Sequence, residues 1–308
     1  MKIKNNTFTN KTILITGGTG SIGRNIVIQL LSNHKPKLVK IFARDEYKHF
    51  ELEKYLESRY PKNKFEHIIG DIRDSQRLNE ALKRVDIVIH TASLKHVTHC
   101  EGNPDEAVKT NIIGAQNLIN LSIENGVSRV VAVSTDKAVY PTTVMGISKL
   151  MMERLFIQKR NSKLTQTKFA VVRFGNVLNS RGSVIPRWIE QIKNGENIQV
   201  TDKKMRRFIM SIPNAVKLII FAVKIMRGRE IIVFKMPEVS IFKLAQETIK
   251  KYGKNKNIKI KLIGMRDREK LRERLFTEEE KELMYENEKF YIILPDRKTF
   301  LERRGVYE

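Results

Sequence analysis

Apolar positions along the chain alternate between short continuous runs and runs of helical period. Residues 13–15, 38–43, 65–69, 85–90, 129–134 and 169–173 are apolar stretches of strand length. Between them the spacing turns helical, as in Ile22, Ile26 and Leu30, then over 47–59 and 107–124, and again from Val144 after Pro141. Strand alternating with helix predicts a parallel, doubly wound α/β sheet with right-handed crossovers over residues 1–180. A helix over 212–226 and a strand over 230–234 are expected to return to that sheet within 208–235. A smaller α/β lobe, formed from 181–207 and 236–308, takes the helix over 241–252 and the strand over 258–263. A last amphipathic stretch in it opens at Gly264.

The first strand runs into Thr16-Gly17-Gly18-Thr19-Gly20-Ser21-Ile22-Gly23, and a helical pattern follows at once. Strand, glycine turn and helix in that order are the context of a dinucleotide site. Gly17 permits the tight turn, Gly20 lets the backbone approach a pyrophosphate, and Gly23 lets the helix pack close to the sheet. Thr19, Ser21 and Ile22 lie between them, where the helix N-terminus offers amide donors to an anion. The second strand ends in Arg44-Asp45-Glu46, the place for a ribose-reading residue. Arg44 suits the 2′-phosphate of NADP; the acidic pair leaves NAD as the alternative. Asp71 and Ile72 close the third strand, where an adenine would lie. Ala92 and Lys95, after the fourth strand, and Asn111, in the helix that follows, complete the expected cofactor contacts.

Charge changes the picture only in part. Lys and Arg number 58 against 34 Asp and Glu, a formal net charge of +24. The lysines are scattered and no nucleic-acid motif accompanies them, so nucleic acid is not expected as a partner; the surface favours anionic ligands. Cys100 is the single cysteine, which rules out an intrachain disulfide and predicts a small buried hydrophobe. His90, His96 and His99 lack a companion carboxylate pattern, so no metal site is expected. The most apolar run, 215–226, is broken by Lys217 and Lys224 and is too short to span a bilayer. No signal pattern opens the chain, and a cytoplasmic protein is expected.

The fifth strand delivers Ser134-Thr135-Asp136-Lys137 to the carboxyl edge of the sheet, the ligand-binding edge of open parallel sheets. Met145 and Lys149 share one face of the next helix. Asn176 follows the sixth strand. Arginines at loop ends beyond it suit a phosphate-bearing substrate as a group, though any one of them could be solvated.

These motifs occur in one order: the glycine turn, Ser134-Thr135-Asp136-Lys137-Ala138, Met145-Gly146-x-x-Lys149, Arg173-Phe174-Gly175-Asn176-Val177 and Ser180-Arg181-Gly182-Ser183-Val184-Ile185-Pro186. Together they resemble the extended short-chain dehydrogenase/reductases. Within these they resemble the soluble, C5-inverting UDP-N-acetylglucosamine 4,6-dehydratases of capsule and surface-polysaccharide synthesis, from about residue 10 to about residue 295. The resemblance implies a Rossmann-like fold, an NADP cofactor, a UDP-sugar substrate and a homo-oligomer, dimer or hexamer. It implies hydride transfer from carbon 4 of the sugar, elimination of water across carbons 5 and 6, and return of the hydride to carbon 6. Lys137 becomes the base at carbon 5 and Asp136 the acid at carbon 6, with Lys149 on the nicotinamide ribose. A lysine base needs burial or a neighbouring cation, and Lys149 is expected to supply the cation. Lys95, Asn176, Arg181, Val184, Arg207, Arg266 and Glu269 are expected on the substrate.

Three departures accompany the match. Met145 stands where the superfamily has its tyrosine, leaving Tyr140, Asp136 or Lys149 through a water to take the carbon 4 hydroxyl proton. Asp267-Arg268 replaces the relatives' Pro-Gly, and Arg206 replaces a threonine. A UDP-sugar epimerase and a non-catalytic NADP-binding module are the alternative readings.

Overall fold

The computed structural model describes residues 6–158, 166–253 and 257–307. Strands in chain order are β1 (Thr12–Thr16), β2 (Leu38–Ala43), β3 (Phe65–Ile69), β4 (Ile87–His90), β5 (Arg129–Thr135), β6 (Lys168–Phe174), β7 (Asn176–Val177), β8 (Ile198–Val200), β9 (Arg206–Met210), β10 (Glu230–Phe234), β11 (Glu238–Ser240), β12 (Ile260–Leu262), β13 (Met284–Glu286) and β14 (Phe290–Ile293). The main sheet has the order β13-β14-β10-β6-β5-β4-β1-β2-β3. It is parallel from β10 to β3; β14 and β13 add to its edge in antiparallel register. The strand order reverses beside β1, so the crevice at its carboxyl end is the topological switch point.

Both faces of this sheet are covered. Ile13, Ile15, Val131 and Val172 face a core shared with the helices Ser21–Asn33 and Ile212–Ile225. Leu14, Val88, Val130 and Val171 face the opposite core, with the helices Ser75–Leu82, Gly114–Glu124 and Val144–Ile157. Alternate residues of each strand thus serve opposite layers, which is why the strands read as continuous apolar runs.

The second lobe carries a β11-β9-β7 sheet and a β12-β8 pair. Trp188 and Ile192 of the helix Val184–Lys193 and Ile241 and Ala245 of the helix Ile241–Tyr252 form its core with Ile198, Val200 and Met205. Two expected boundaries shift. The return to the main sheet begins at the helix Ile212–Ile225, since β9 pairs within the lobe. Residues 284–293, expected in the lobe, belong to the main sheet instead.

A buried ion-pair cluster ties the C-terminal segment to this frame. Arg173 of β6, fully buried, donates to Glu153 of the helix Val144–Ile157 at 2.6 and 3.0 Å and to Glu280 at 2.8 and 3.0 Å. Glu280 also closes a capping box with Thr277.

The expected continuous helix over 107–124 is divided. Pro104–Ala107 is α-helical, Val108–Ile113 makes a π turn, and Gly114–Glu124 resumes the α-helix. Asn111 sits in the π turn and is fully buried. π turns inside helices commonly mark functional sites.

Candidate active site

A cavity of about 600 Å³ opens over the carboxyl ends of β1, β4 and β5. Gly17, Thr19, Gly20, Ser21, Ile22 and Gly23 form one wall. Gly17 has φ +67°, and a Cβ there would stand 2.7 Å from the Ala92 amide nitrogen. A Cβ on Gly23 would collide with the Gly17 carbonyl, so the helix can start this close to β1 only with glycine. The helix Ser21–Asn33 begins without a side-chain cap and without an acidic residue in its first turn. Its first amides therefore remain available to an anion in the cavity.

Arg44, Asp71 and Ile72 line the far end, and Ala92 and Lys95 the near side. Arg44 stays half-exposed at the rim, 3.4 Å from Asp71. Asp45 instead caps the helix Glu46–Glu57, accepting from the Lys48 amide. Burial pushes the Asp71 carboxyl up, but hydrogen bonds from Arg73 and the Arg44 charge outweigh it and hold the group below the usual carboxylate range. Asn111 does not line the cavity. Its amide pins the loop below it, accepting from the Leu94 amide at 2.8 Å and donating to the Leu94 carbonyl and Ser148 Oγ at 3.0 Å.

The segment after β7 crosses the glycine turn. The Arg181 amide donates to Ser21 Oγ at 3.0 Å, and Lys95 Nζ donates to the Arg181 carbonyl at 2.7 Å. Arg181 lines the cavity; Val184 does not, because it begins the next helix. Arg207, Arg266 and Glu269 lie off this cavity, on the second lobe. They do come together: Arg207 is 3.6 Å from Glu269, and Glu269 accepts from the Arg266 amide at 3.2 Å.

Lys137 and Lys149 reach the cavity from β5 and its neighbouring helix. Lys149 Nζ donates to the Val133 carbonyl at 2.9 Å, and burial lowers its pKa to about 8. The charged groups recorded beside Lys137 are carboxylates, whereas a neighbouring cation was expected. Lys137 Nζ donates to Asp136 Oδ1 at 2.9 Å and Asn176 Oδ1 at 3.1 Å, and Glu273 Oε1 lies 3.7 Å away. The chain is bent here by the short 3-10 turn Asp136–Ala138, which Thr135 caps. Gly146 sits against this turn, where a Cβ would collide with the Lys137 carbonyl.

Asp136 is fully buried beneath Lys137. Its Oδ1 also accepts from Thr135 Oγ1 at 3.0 Å, while Oδ2 has no hydrogen-bond partner among the described residues. Thr135 itself lines the cavity. Met145 lines it too, but as an apolar wall, 3% exposed and packed on Cys100 and Ala107. Cys100 is the small buried hydrophobe expected. Tyr140 is turned away: its hydroxyl accepts from the Glu278 amide at 3.0 Å. His90 is buried against Thr16 Oγ1 at 2.7 Å, and burial, with the Lys149 charge, pushes its pKa down to about 3. Thr135 and Glu273 are the residues that sequence reasoning passed over as individuals. The Oγ1 position of Thr135 follows from its strand-end register, whereas Glu273 arrives from a segment no local pattern places here.

The family model for polysaccharide biosynthesis proteins matches residues 13–295. The chain belongs to that family. Among its relatives, the UDP-N-acetylglucosamine 4,6-dehydratase (inverting) of Campylobacter jejuni is 42% identical over 293 residues, 94% of this chain and 85% of that one. The UDP-glucose 4-epimerase of Rickettsia canadensis is 43% identical over 277 residues, 89% of this chain and 80% of that one. The X-ray structure of Pen from Bacillus thuringiensis superposes with a TM-score of 0.90 at 42% identity, over 94% of this chain and 90% of that one. A Rossmann-like polysaccharide-biosynthesis protein with a nucleotide cofactor is therefore the frame for the cavity. No helix among the described residues is long and apolar enough to cross a membrane.

Proposed function

We propose that this family member dehydrates UDP-N-acetylglucosamine to a UDP-4-keto-6-deoxy-hexose with inversion at carbon 5, in surface-glycan synthesis. The observation that carries the reading is Lys137 Nζ in the cavity wall, hydrogen-bonded to Asp136 on one side and Asn176 on the other. Gly17, Gly20, Gly23 and Lys149 would hold a nicotinamide cofactor, which would supply hydride chemistry between carbons 4 and 6.

The chain's own residues handle the protons. Thr135, with its hydroxyl donating to Asp136, relays the carbon 4 hydroxyl proton to that carboxylate. Asp136, which is buried behind the cavity wall, returns it through the Thr135 hydroxyl to the departing carbon 6 hydroxyl. Lys137 takes the proton from carbon 5, which the neighbouring ketone has acidified, and carbon 5 takes a proton back from solvent on its opposite face when the hydride adds to carbon 6. Met145 has no proton to exchange and shields the site from water. Lys149, in the cavity wall, would hold the nicotinamide ribose. Arg44, half-exposed at the rim beside Asp71, favours NADP over NAD. Arg207, Arg266 and Glu269 hold the nucleotide end of the substrate.

A homodimer fits the helix faces left bare. Val108 and Ile113 are 42% and 48% exposed, and Ile147 and Met151 on the adjoining helix 52% and 46%. Two such faces together would make a four-helix seam.

Turnover in deuterated water tests the elimination. The product should carry solvent deuterium at carbon 5. A product that has changed configuration at carbon 4 alone, with no deuterium at carbon 5, would instead mark an epimerase.

A further inference from the structure

We propose that Glu273 is a positioning residue for Lys137: a buried carboxylate, supplied by the second lobe, that acts as the fixed counter-charge of the elimination base. The inference rests on the reading of Lys137 as that base.

Glu273 is 6% exposed. Its Oε1 lies 3.7 Å from Lys137 Nζ. Its Oε2 lies 2.9 Å from Lys270 Nζ, yet makes no hydrogen bond among the described residues. Lys270 is itself anchored on the catalytic turn, donating to the carbonyls of Val139 at 2.9 Å and Tyr140 at 3.2 Å. The charges therefore alternate in space: Asp136, Lys137, Glu273, Lys270. Burying a carboxylate is costly even when it is paired with cations, as Glu273 is with Lys270 and Lys137, and such groups concentrate where their charge serves chemistry.

The elimination gives that charge a task. The carbon 5–hydrogen bond breaks, its electron pair moves into the new double bond, and the proton bonds to the Lys137 nitrogen. The carbon 6–oxygen bond breaks, and the oxygen leaves as water with the proton held by Asp136. Asp136 must be neutral as this begins, so it cannot be the counter-ion while positive charge builds on Lys137. Glu273 donates no proton in any step and keeps its charge 3.7 Å from the Lys137 nitrogen throughout. It is also close in the chain to Arg266 and Glu269, so a nucleotide seated there would steady the same segment.

The test compares Glu273→Gln and Glu273→Asp in the cofactor-loaded enzyme. For the Gln variant, release of water and exchange of the carbon 5 proton with deuterated solvent should fall by about tenfold or more, the effect of one pKa unit of lost interaction, with KM unchanged. The near-ultraviolet absorbance of the reduced nicotinamide should still rise in the first turnover and should persist, because only the later step is slowed. The Asp variant should recover part of the rate. Equal loss of cofactor reduction and water release would mark a merely structural role and overturn the proposal, as would exchange at the wild-type rate. If the Gln variant does not fold, the same split is read from the Asp variant. A Lys137→Ala enzyme that still eliminates water would overturn the base assignment itself; an inactive Lys137→Ala beside a fully active Glu273→Gln would overturn only the role given to Glu273.

Discussion

Asn176 Oδ1 accepts a 3.1 Å hydrogen bond from Lys137 Nζ, joining the turn after β5 to the first residue of β7. Lys137 is thereby held between two elements rather than swinging from one. Asn176→Ala should leave cofactor affinity unchanged and lower kcat by about tenfold or more, since a misplaced reacting group costs rate steeply. Steady-state kinetics with a separate cofactor titration checks this. An unchanged kcat would show that Asn176 does not aim the lysine.

Lys149 links pH to both stability and cofactor binding. Its folded-state pKa, about 8, lies below the ordinary 10.5 because burial disfavours the ammonium. Below about pH 8 both folded and unfolded chains carry the proton, and the burial cost is felt in full. Between about 8 and 10.5 the unfolded chain binds more protons, so stability from this group rises with pH. Lys149→Met should therefore raise Tm by several degrees at neutral pH, with the gain fading toward pH 10.5. Cofactor affinity of the wild-type protein should fall as pH rises through about 8, and the Met variant should bind weakly at every pH. Thermal melts and cofactor titrations across that range measure both.

Arg173 holds two buried carboxylates, Glu153 and Glu280, at once. Arg173→Met would leave both uncompensated, and breaking such a pair by removing one partner costs about 3–5 kcal/mol. Urea unfolding should show the loss. Glu280 lies seven residues beyond Glu273 in the chain, so activity should suffer beyond what the stability change explains. A loss under about 1 kcal/mol would mean that the cluster behaves as a solvated pair.

The bare helix faces bear on assembly. Ile147→Asp places a charge in the middle of the apolar patch with Val108, Ile113 and Met151, and it should shift a dimer to monomer in light scattering. A variant that stays dimeric would move the interface elsewhere.

The core of the fold was readable because the central strands β1, β4, β5 and β6 are largely buried on both faces and, with the partly exposed β2 and β3, announce themselves as apolar runs between helical periods. The glycine turn was readable because Gly17 and Gly23 answer local geometric demands. Legibility failed where long-range contacts decide. Nothing near 284–293 says that these residues pair with β10 instead of staying in the second lobe. The helix over 107–124 has an unbroken apolar period, yet Asn111 sits in a π turn where its amide meets Leu94. The polar partners of Lys137 come from three separate segments of the chain, at 136, 176 and 273, and Glu273 among them is fixed only by tertiary packing.

The central claim is that Lys137 and Asp136 remove water from a UDP-sugar. The most direct measurement is the mass of the sugar nucleotide after purified protein meets UDP-N-acetylglucosamine, for the wild type and for Lys137→Ala. The account predicts loss of one water with the wild type and an unchanged substrate with the variant, whose cofactor stays bound. Water loss by the variant at the wild-type rate, or a wild-type product of unchanged mass and altered stereochemistry, would contradict it.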